Sequence, residues 1–573
     1  MMKVSDFVAY FLWKKGIKTV FELSGGMITH LLDSFKQTTD INIVTMHHEQ
    51  AAAFAAEGFA RVTGLPGVAL ATSGPGATNL LTGIGSCYFD SVPAIFITGQ
   101  VNTHEQRGGR PIRQLGFQET DIVSMATPIT KATFLITDSS DVERIFEEAF
   151  VLATEGRPGP VLIDIPMNIQ RELIELRVEH KERKEDGIID ASIIAKLIAD
   201  IKTSKAPLIL AGRGIRASNS QEFFTRFVET VKVPVISSLL GIDTISYEDP
   251  LRVGFIGSYG NRWANIAFGE CDLLIVLGAR LDIRQTGADT KFIENRNIYH
   301  IDCESGEINN RVKGCSPIVS DLSVFFKSFF LNSPHEDFKV KEPWIERIFQ
   351  LKKAWPDVSE LSVRGINPNV FMHQLSRSSK FAKAFLADVG SHQMWASQSL
   401  ELSKGQLFLT SGGMGAMGFS LPAAIGACLA LCNAPVVVIV GDGCMQINIQ
   451  ELQTIVRNKL NIKIIVMNNK SLGMITQFQD SYFESRYQST YWGYSTPDFE
   501  KVAQAYGIGA RTICSKEEVE EAVEWLWQGE NKGEPVLLQV MIEPHTNTYP
   551  KIAFGKPITE MEPFSKPIEM EGT

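Results

Sequence analysis

The sequence predicts an α/β protein made of three doubly wound parallel-sheet domains. Short apolar runs alternate with segments of helical period along the chain, two polar stretches divide that alternation into three blocks, and 573 residues hold about three or four ordinary domains. In the first block, residues 68–72, 94–98 and 160–164 read as strands and 49–64 and 141–154 as helices. Residues 171–190 mix both charge signs without an apolar face and read as a solvated linker. The second block carries strands at 207–211, 233–237, 272–277 and 297–301, and closes on the polar stretch 333–341. The third carries strands at 385–388, 435–440, 462–467 and 536–540. These give expected domains at 1–170, 190–332 and 365–546, followed by a tail, 547–573, whose four prolines suit either a surface covering or a mobile end.

Hydrophobic residues at 44% and charged residues at 21% exclude disordered, collagen-like and coiled-coil classes. The net charge of −10 repels phosphate backbones, so no nucleic-acid partner is expected. Eight cysteines without a CxxC pair read as buried thiols in a reducing compartment. The N-terminal segment lacks the order of a secretory signal, and the apolar stretch 418–441 is broken by Pro422, Asn433 and Pro435 into a helix, a turn and a strand. The expectation is a cytoplasmic protein with no membrane partner.

Several stretches carry chemistry. Gly441-Asp442-Gly443 follows the apolar run PVVVIV and Asn468-Asn469 follows IKIIVM, with 469 − 442 = 27 residues between Asp442 and Asn469. At the C-terminal ends of neighbouring parallel strands, a carboxylate and an amide oxygen converge as a hard-oxygen pair suited to Mg²⁺; two ordinary strand-end turns are the alternative. Ser73, Gly74, Gly76 and Asn79 lie in SGPGATN, where glycines admit a ligand to the backbone of a helix N-terminus. In His47-His48-Glu49 the HxxxH spacing of a metal site is absent; Glu49 either acts on a cofactor or is a helix N-terminal carboxylate favoured by the dipole. Residues 413–418 spell GxGxxG, which raises a dinucleotide-dependent oxidoreductase as a rival, although the acid that motif requires falls on Asp442.

Taken in order, HHEQAAAFAAEGFAR, TSGPGATN, FQETD, GRPGPVLIDIP, LGARLDIRQTG, DVGSHQMW, GGMGAMGFSLPAAIGA and the GDG and NN pair resemble the thiamine-diphosphate enzymes of the acetolactate synthase (acetohydroxyacid synthase) group over nearly the whole chain. The resemblance implies a pyrimidine-binding domain, a central FAD-type domain and a diphosphate-binding domain, with active sites between subunits of a homodimer or homotetramer. It further implies a carboligase that decarboxylates pyruvate and transfers the acyl-anion equivalent to a carbonyl acceptor, with pyruvate oxidase or decarboxylase as alternatives.

Residue by residue, Glu49 is similar to the glutamate that hydrogen-bonds the aminopyrimidine and favours its imino tautomer. Asp442, Asn469 and the Ser471 carbonyl resemble the Mg²⁺ ligands. Gly390, Ser391 and His392, with Gly441 and Gly443, resemble diphosphate contacts, Ser391 standing where relatives carry glutamine. Met417 matches the apolar side chain that holds the cofactor bent, and Phe117 and Gln118 match a substrate-side pair. Gly212, Gly214, Arg280, Asp282 and Arg284 resemble flavin contacts, which implies a structural FAD, although Tyr259 replaces a histidine common in relatives. Met167 and Phe478 occupy positions where the biosynthetic synthases carry lysine and tryptophan. Without that lysine, a second keto-acid carboxylate loses a counter-charge, so a neutral ketone or keto sugar gains as acceptor, unless Arg110 or Arg113 supplies the charge.

Overall fold

The structure, a computed structural model, describes residues 1–175, 187, 189–288 and 296–568. It contains three six-stranded sheets, each parallel throughout. The first runs in the order Asn42–Thr45, Thr19–Leu23, Gly67–Ala71, Ala94–Gln100, Pro160–Pro166, Ala132–Leu135. The central one runs Arg252–Phe255, Val235–Ser237, Pro207–Ala211, Leu273–Leu277, Asn297–Asp302, Ser316–Val319. The third runs Leu407–Leu409, Ala384–Ala387, Val436–Gly441, Ile462–Asn468, Val536–Met541, Gly509–Ile513. The inner strands are buried on both faces, as a sheet wound with helices requires, and so read as continuous apolar runs.

The predicted strands lie within a residue or two of those observed. The helix expected at 49–64 is Glu49–Thr63, stopped by Gly64 in the left-handed region at φ 73°. Two stretches behave differently from the expectation of plain linkers. Leu173–Ile174 pairs antiparallel with Met2–Lys3, while 176–186 and 188 lie outside the described residues. Beyond 332, Phe338 is buried with the central core, and the helix Glu342–Ala354 packs onto it through Trp344, Ile348 and Leu351. The described part of the tail covers a surface: Lys551–Ile552 pairs with Met561–Glu562, and Arg262 of the central domain donates to the Met561 and Glu562 carbonyls at 3.2 and 2.9 Å. Five of the cysteines are buried, whereas Cys432 and Cys514 are exposed and Cys303 is half-buried, which corrects the reading of all eight as core thiols. Among the described residues no helix is long and apolar enough to cross a membrane.

The closest approach of the first and third domains is a helix pair. Glu49–Thr63 (EQAAAFAAEGFARVT) lies against Ser420–Ala430 (SLPAAIGACLA), and the contact is made of alanine and glycine. A Cβ on Gly58 would stand 2.0 Å from the Ala423 carbonyl oxygen, and one on Gly426 would stand 1.8 Å from that of Ala55. The two backbones are therefore in contact, and no larger residue fits without separating the domains. Gly426→Ala is expected to destabilise the chain by about 1 to 3 kcal/mol, read as a lower denaturant midpoint at unchanged slope.

Candidate functional site

In the third sheet, Ala384–Ala387, Val436–Gly441 and Ile462–Asn468 are neighbours, so their C-terminal ends open on one edge. Gly390, Ser391 and His392 follow the first strand, Asp442 and Gly443 the second, Asn469 and Ser471 the third. Asp442 is buried: Oδ1 accepts the Gly443 amide at 2.8 Å, while Oδ2 has no partner. Burial pushes this carboxyl up to about 7, against the pull of the Gly443, Ser471 and Lys470 amides and the Tyr494 hydroxyl. That hydroxyl stands beside Asp442 without completing a well-aligned hydrogen bond. Asn469 Oδ1 accepts the Ser471 amide at 3.2 Å, and its amide nitrogen and Ser391 Oγ both lie close to Gly473, where a Cβ would stand 2.7 and 3.0 Å from them. Ser391 Oγ is likewise buried without a partner.

Buried polar atoms are seldom left unpaired, so these two mark a place where a ligand completes the bonding. One carboxylate, one amide oxygen and a carbonyl fit Mg²⁺, which fills its octahedron with phosphate and water oxygens. His392 serves beneath that edge as scaffold. Its Nε2 accepts the Gly441 amide at 3.1 Å and burial pulls it down to about 4, so the ring is neutral with its proton on Nδ1. His392, Asp388 and Cys444 bring one ligand atom each within 4.8 Å of one another. They do not fit a cation, because His392 Nε2, both Asp388 oxygens and the Cys444 thiol are already engaged. Asp388 accepts the Val389, Gly418 and Ser420 amides and the Ser420 hydroxyl, and Cys444 donates to the Val389 carbonyl. Met417 lies over the Asp442 turn, its methyl 3.3 Å from where a Cβ on Gly443 would be. Phe478 lies half-buried against Tyr482, with ring centres 4.8 Å apart and the planes tilted by 57°.

The first domain brings a second group together. Glu49 is buried at the start of its helix; Asn79 donates to its Oε2 at 2.9 Å, and its Oε1 lies 3.1 Å from where a Cβ on Gly76 would stand. Gly74, at φ 66°, turns the chain into the short helix Pro75–Asn79 and abuts Gln118, itself at φ 66°. The buried hydroxyl of Ser73 has no partner. Phe117 projects outward at 81% exposure, and Met167 is half-buried at the start of Met167–Arg171. His47 and His48 have local tasks: the His48 ring accepts the Gln50 amide as a helix cap, and the His47 amide donates to Glu451 of the third domain at 2.9 Å. Gln50 reaches Asn448 at 3.3 Å. Thus the first-domain group (Glu49, Ser73, Gly74, Gly76, Asn79, Gln118) and the third-domain group (Ser391, Met417, Asp442, Asn469, Ser471) each assemble, and their margins touch.

A cavity of about 550 Å³ lies at the C-terminal ends of the central strands, walled by all three domains. Gly214, Arg280, Asp282 and Arg284 line it, whereas Gly212 packs against the Gly278 backbone at its rim. Asp282 caps the helix Ile283–Thr286 through the Arg284 and Gln285 amides and pairs with Arg280 at 3.1 Å. Arg213, also on the wall, has a buried Nε without a partner; burial, with Arg61 nearby, pulls it down to about 10. A buried guanidinium short of negative charge fits a phosphate-bearing ligand. Arg213 lies in the Gly212-Arg213-Gly214 segment that resembles a flavin contact, whereas Arg157, Asp302, Asp90 and Tyr494 carry no site reading in the sequence. Asp302 alone offered a signal, as an acid at a strand end; the others gain their place from tertiary packing. The GxGxxG run does not cradle a pyrophosphate: it follows the edge strand Leu407–Leu409, and the amides of Gly413 and Gly418 are held by Asp90 and Asp388.

The N-terminal, central and C-terminal domain models of thiamine pyrophosphate enzymes match residues 2–125, 194–329 and 388–540. The chain is 36% identical to the probable acetolactate synthase large subunit of Methanocaldococcus jannaschii, covering 100% of this chain and 96% of that one. It is 36% identical to the acetolactate synthase large subunit of Lactococcus lactis, over 97% and 95%. It is 35% identical to the chloroplastic acetolactate synthase 2 of Nicotiana tabacum, over 96% and 84%. The chain belongs to the acetolactate synthase family of thiamine-diphosphate enzymes. Its fold is the three-domain α/β fold of that family, and its class is a thiamine-diphosphate-dependent carboligase. In such an enzyme the partnerless Asp442 Oδ2 becomes a direct target: Asp442→Ala is expected to weaken Mg²⁺-dependent binding of thiamine diphosphate at least about tenfold, measured by calorimetric titration at several Mg²⁺ concentrations.

Proposed function

We propose that this acetolactate synthase family member decarboxylates pyruvate and transfers the two-carbon unit to a carbonyl acceptor, with a neutral ketone or keto sugar competing with pyruvate for that role. The observation that carries the reading is the pair of half-sites: a buried carboxyl, Glu49, held by one amide in the first domain, and a buried, partly unpaired Asp442 in the third. When bound, thiamine diphosphate supplies the nucleophilic carbon and the electron sink. Glu49 would present Oε1 to the ring nitrogen of that cofactor for proton exchange, while Asn79 fixes Oε2 and so the direction of the carboxyl. Asp442, Asn469 and the Ser471 carbonyl would hold Mg²⁺, and Ser391 would donate to the diphosphate. Met417 would pack against the cofactor. Gln118 donates to negative charge developing on the substrate, and Phe117 excludes water beside it.

Arg213 and the central-domain cavity suit FAD, whose diphosphate would meet the guanidinium whose Nε is partnerless. The flavin has a structural role in this reading. Two copies of the chain, in a dimer or tetramer, complete each site. The domains divide near 170 to 190, 332 to 365 and 546, in line with the three sheets.

Met167 underlies the acceptor preference. It stands half-buried directly after the strand Pro160–Pro166 and carries no charge to balance a second keto-acid carboxylate. Two outcomes follow. Glu49→Gln should retain thiamine diphosphate yet lose turnover by about two to four orders of magnitude, since an amide does not transfer the proton; product formation at saturating cofactor checks it. With pyruvate and a cyclic ketone or keto sugar present together, the protein should release the crossed product, and Met167→Lys should shift the mixture toward acetolactate. Acetolactate as the sole product at every ketone concentration would overturn the acceptor assignment, and bleaching of a flavin by pyruvate would favour an oxidase.

A further inference from the structure

The loop from Ser411 to Gly418 is shared by two sites. Ser411, Gly412, Gly413, Met414 and Gly415 line the central cavity, and two residues later Met417 lies over the Asp442 turn. Carboxylates from two domains hold this loop at its ends. Asp388, at its far end, accepts the Gly418 amide at 2.9 Å. At the near end, Asp90 of the first domain accepts the Gly412 amide on Oδ2 at 2.9 Å and the Gly413 amide on Oδ1 at 2.6 Å.

Asp90 is itself held rigidly. Arg61 Nη2 donates to Asp90 Oδ2 at 2.6 Å and also to Glu57, while Arg61 Nη1 donates to the Thr410 carbonyl at 2.9 Å. Arg61 and Glu57 belong to the helix whose first residue is Glu49. One rigid element thus carries the candidate proton-holding carboxyl at one end and, at the other, the clamp on the loop that presents Met417. The glycines of the loop are packed without slack. A Cβ on Gly412 would stand 2.9 Å from Leu240 of the central domain, and one on Gly413 would stand 2.7 Å from Phe89 Cβ. Leu240, Phe89 and Asp90 are themselves cavity wall. Whatever fills the cavity therefore presses on the segment that Asp90 fixes, and a close-packed segment passes a displacement on instead of absorbing it.

From these contacts we infer that Asp90 is a positioning residue for Met417, and that through the loop it holds, occupancy of the central cavity by a flavin adenine dinucleotide strengthens binding of thiamine diphosphate. This rests on the reading of the cavity given under Proposed function. Linkage makes the effect reciprocal, so it is measurable as affinity without turnover.

The test titrates thiamine diphosphate with Mg²⁺ into full-length protein stripped of flavin and into the same protein reloaded with FAD, using calorimetry and the near-ultraviolet circular dichroism of the bound aminopyrimidine. Loaded wild-type protein should bind thiamine diphosphate about tenfold more tightly than stripped protein. In Asp90→Asn one of the two glycine amides faces an NH₂ group, and the ratio should fall to within about twofold while FAD still binds. Leu240→Ala, which loosens the opposite face of the loop and replaces no member of the Arg61, Asp90 and Glu57 hydrogen-bond cluster, should lower the ratio in the same way; it keeps the test decisive if Asp90→Asn does not fold. Equal affinities in stripped and FAD-loaded wild type, or a full ratio in both folded variants, would overturn the inference and leave the cavity assignment standing. Failure of wild type to take up FAD would overturn the assignment, and the inference with it.

Discussion

The contact between Glu49–Thr63 and Ser420–Ala430 is the constraint on which the rest depends. Gly58 and Gly426 let each backbone rest on the other's carbonyls, and the flanking alanines leave no flexible side chain that could change the spacing. Because the first helix begins at Glu49 and the second follows directly on the Met417 loop, a single close crossing sets the relation between two half-sites that lie nearly 400 residues apart in the chain. Propensity alone would not hold such helices, since an alanine and glycine surface gains little from burial per residue. Dispersion between touching backbones and exclusion of water over the whole crossing supply the stability.

Around this crossing, buried charges divide by whether their bonding is complete. Asp388 accepts four hydrogen bonds, Asp90 binds an arginine and two amides, and His373 lies between Asp357 at 2.9 Å and Glu401 at 2.8 Å. Such groups specify geometry, and removing one partner of each would leave a desolvated charge. Asp442 Oδ2, Ser391 Oγ, Ser73 Oγ and Arg213 Nε are incomplete, and all four fall on the two strand-end edges and the cavity where ligands of this family class would sit. Incomplete bonding also occurs away from these places, at Glu57 Oε2 and Asn369 Oδ1, so it marks Asp442 and Arg213 only together with their positions at a strand-end edge and on the cavity wall.

The central domain joins the other two at its strand ends, where the cavity has walls from all three. Arg157 of the first domain closes one side, donating to Glu304 and Glu307 of the central domain at 2.8 Å each, and the tail folds back over the opposite side of the sheet through Arg262. A ligand in such a place is part of the packing between domains, so its presence bears on their relative position as well as on its own fit.

How much was legible in the sequence follows from what each signal depends on. The inner strands other than Thr19–Leu23 were readable because a strand covered on both faces needs an unbroken apolar run; Thr19–Leu23, with Glu22 within it, and the six edge strands, Asn42–Thr45, Ala132–Leu135, Arg252–Phe255, Ser316–Val319, Leu407–Leu409 and Gly509–Ile513, were not singled out, the edge strands being short or open to solvent at one side. Asp442, Asn469, Glu49 and the SGPG turn were readable because a strand end or a helix start is a local feature with its own residue code. Asp90 and Arg61 were not, because an aspartate after a helix or an arginine on a helix face has an ordinary solvated reading until another domain removes its water. The local chemistry and the three-block α/β plan were written in the sequence. Only the tertiary structure decided which buried charges are satisfied and which wait for a ligand, because that depends on donors brought from domains hundreds of residues away.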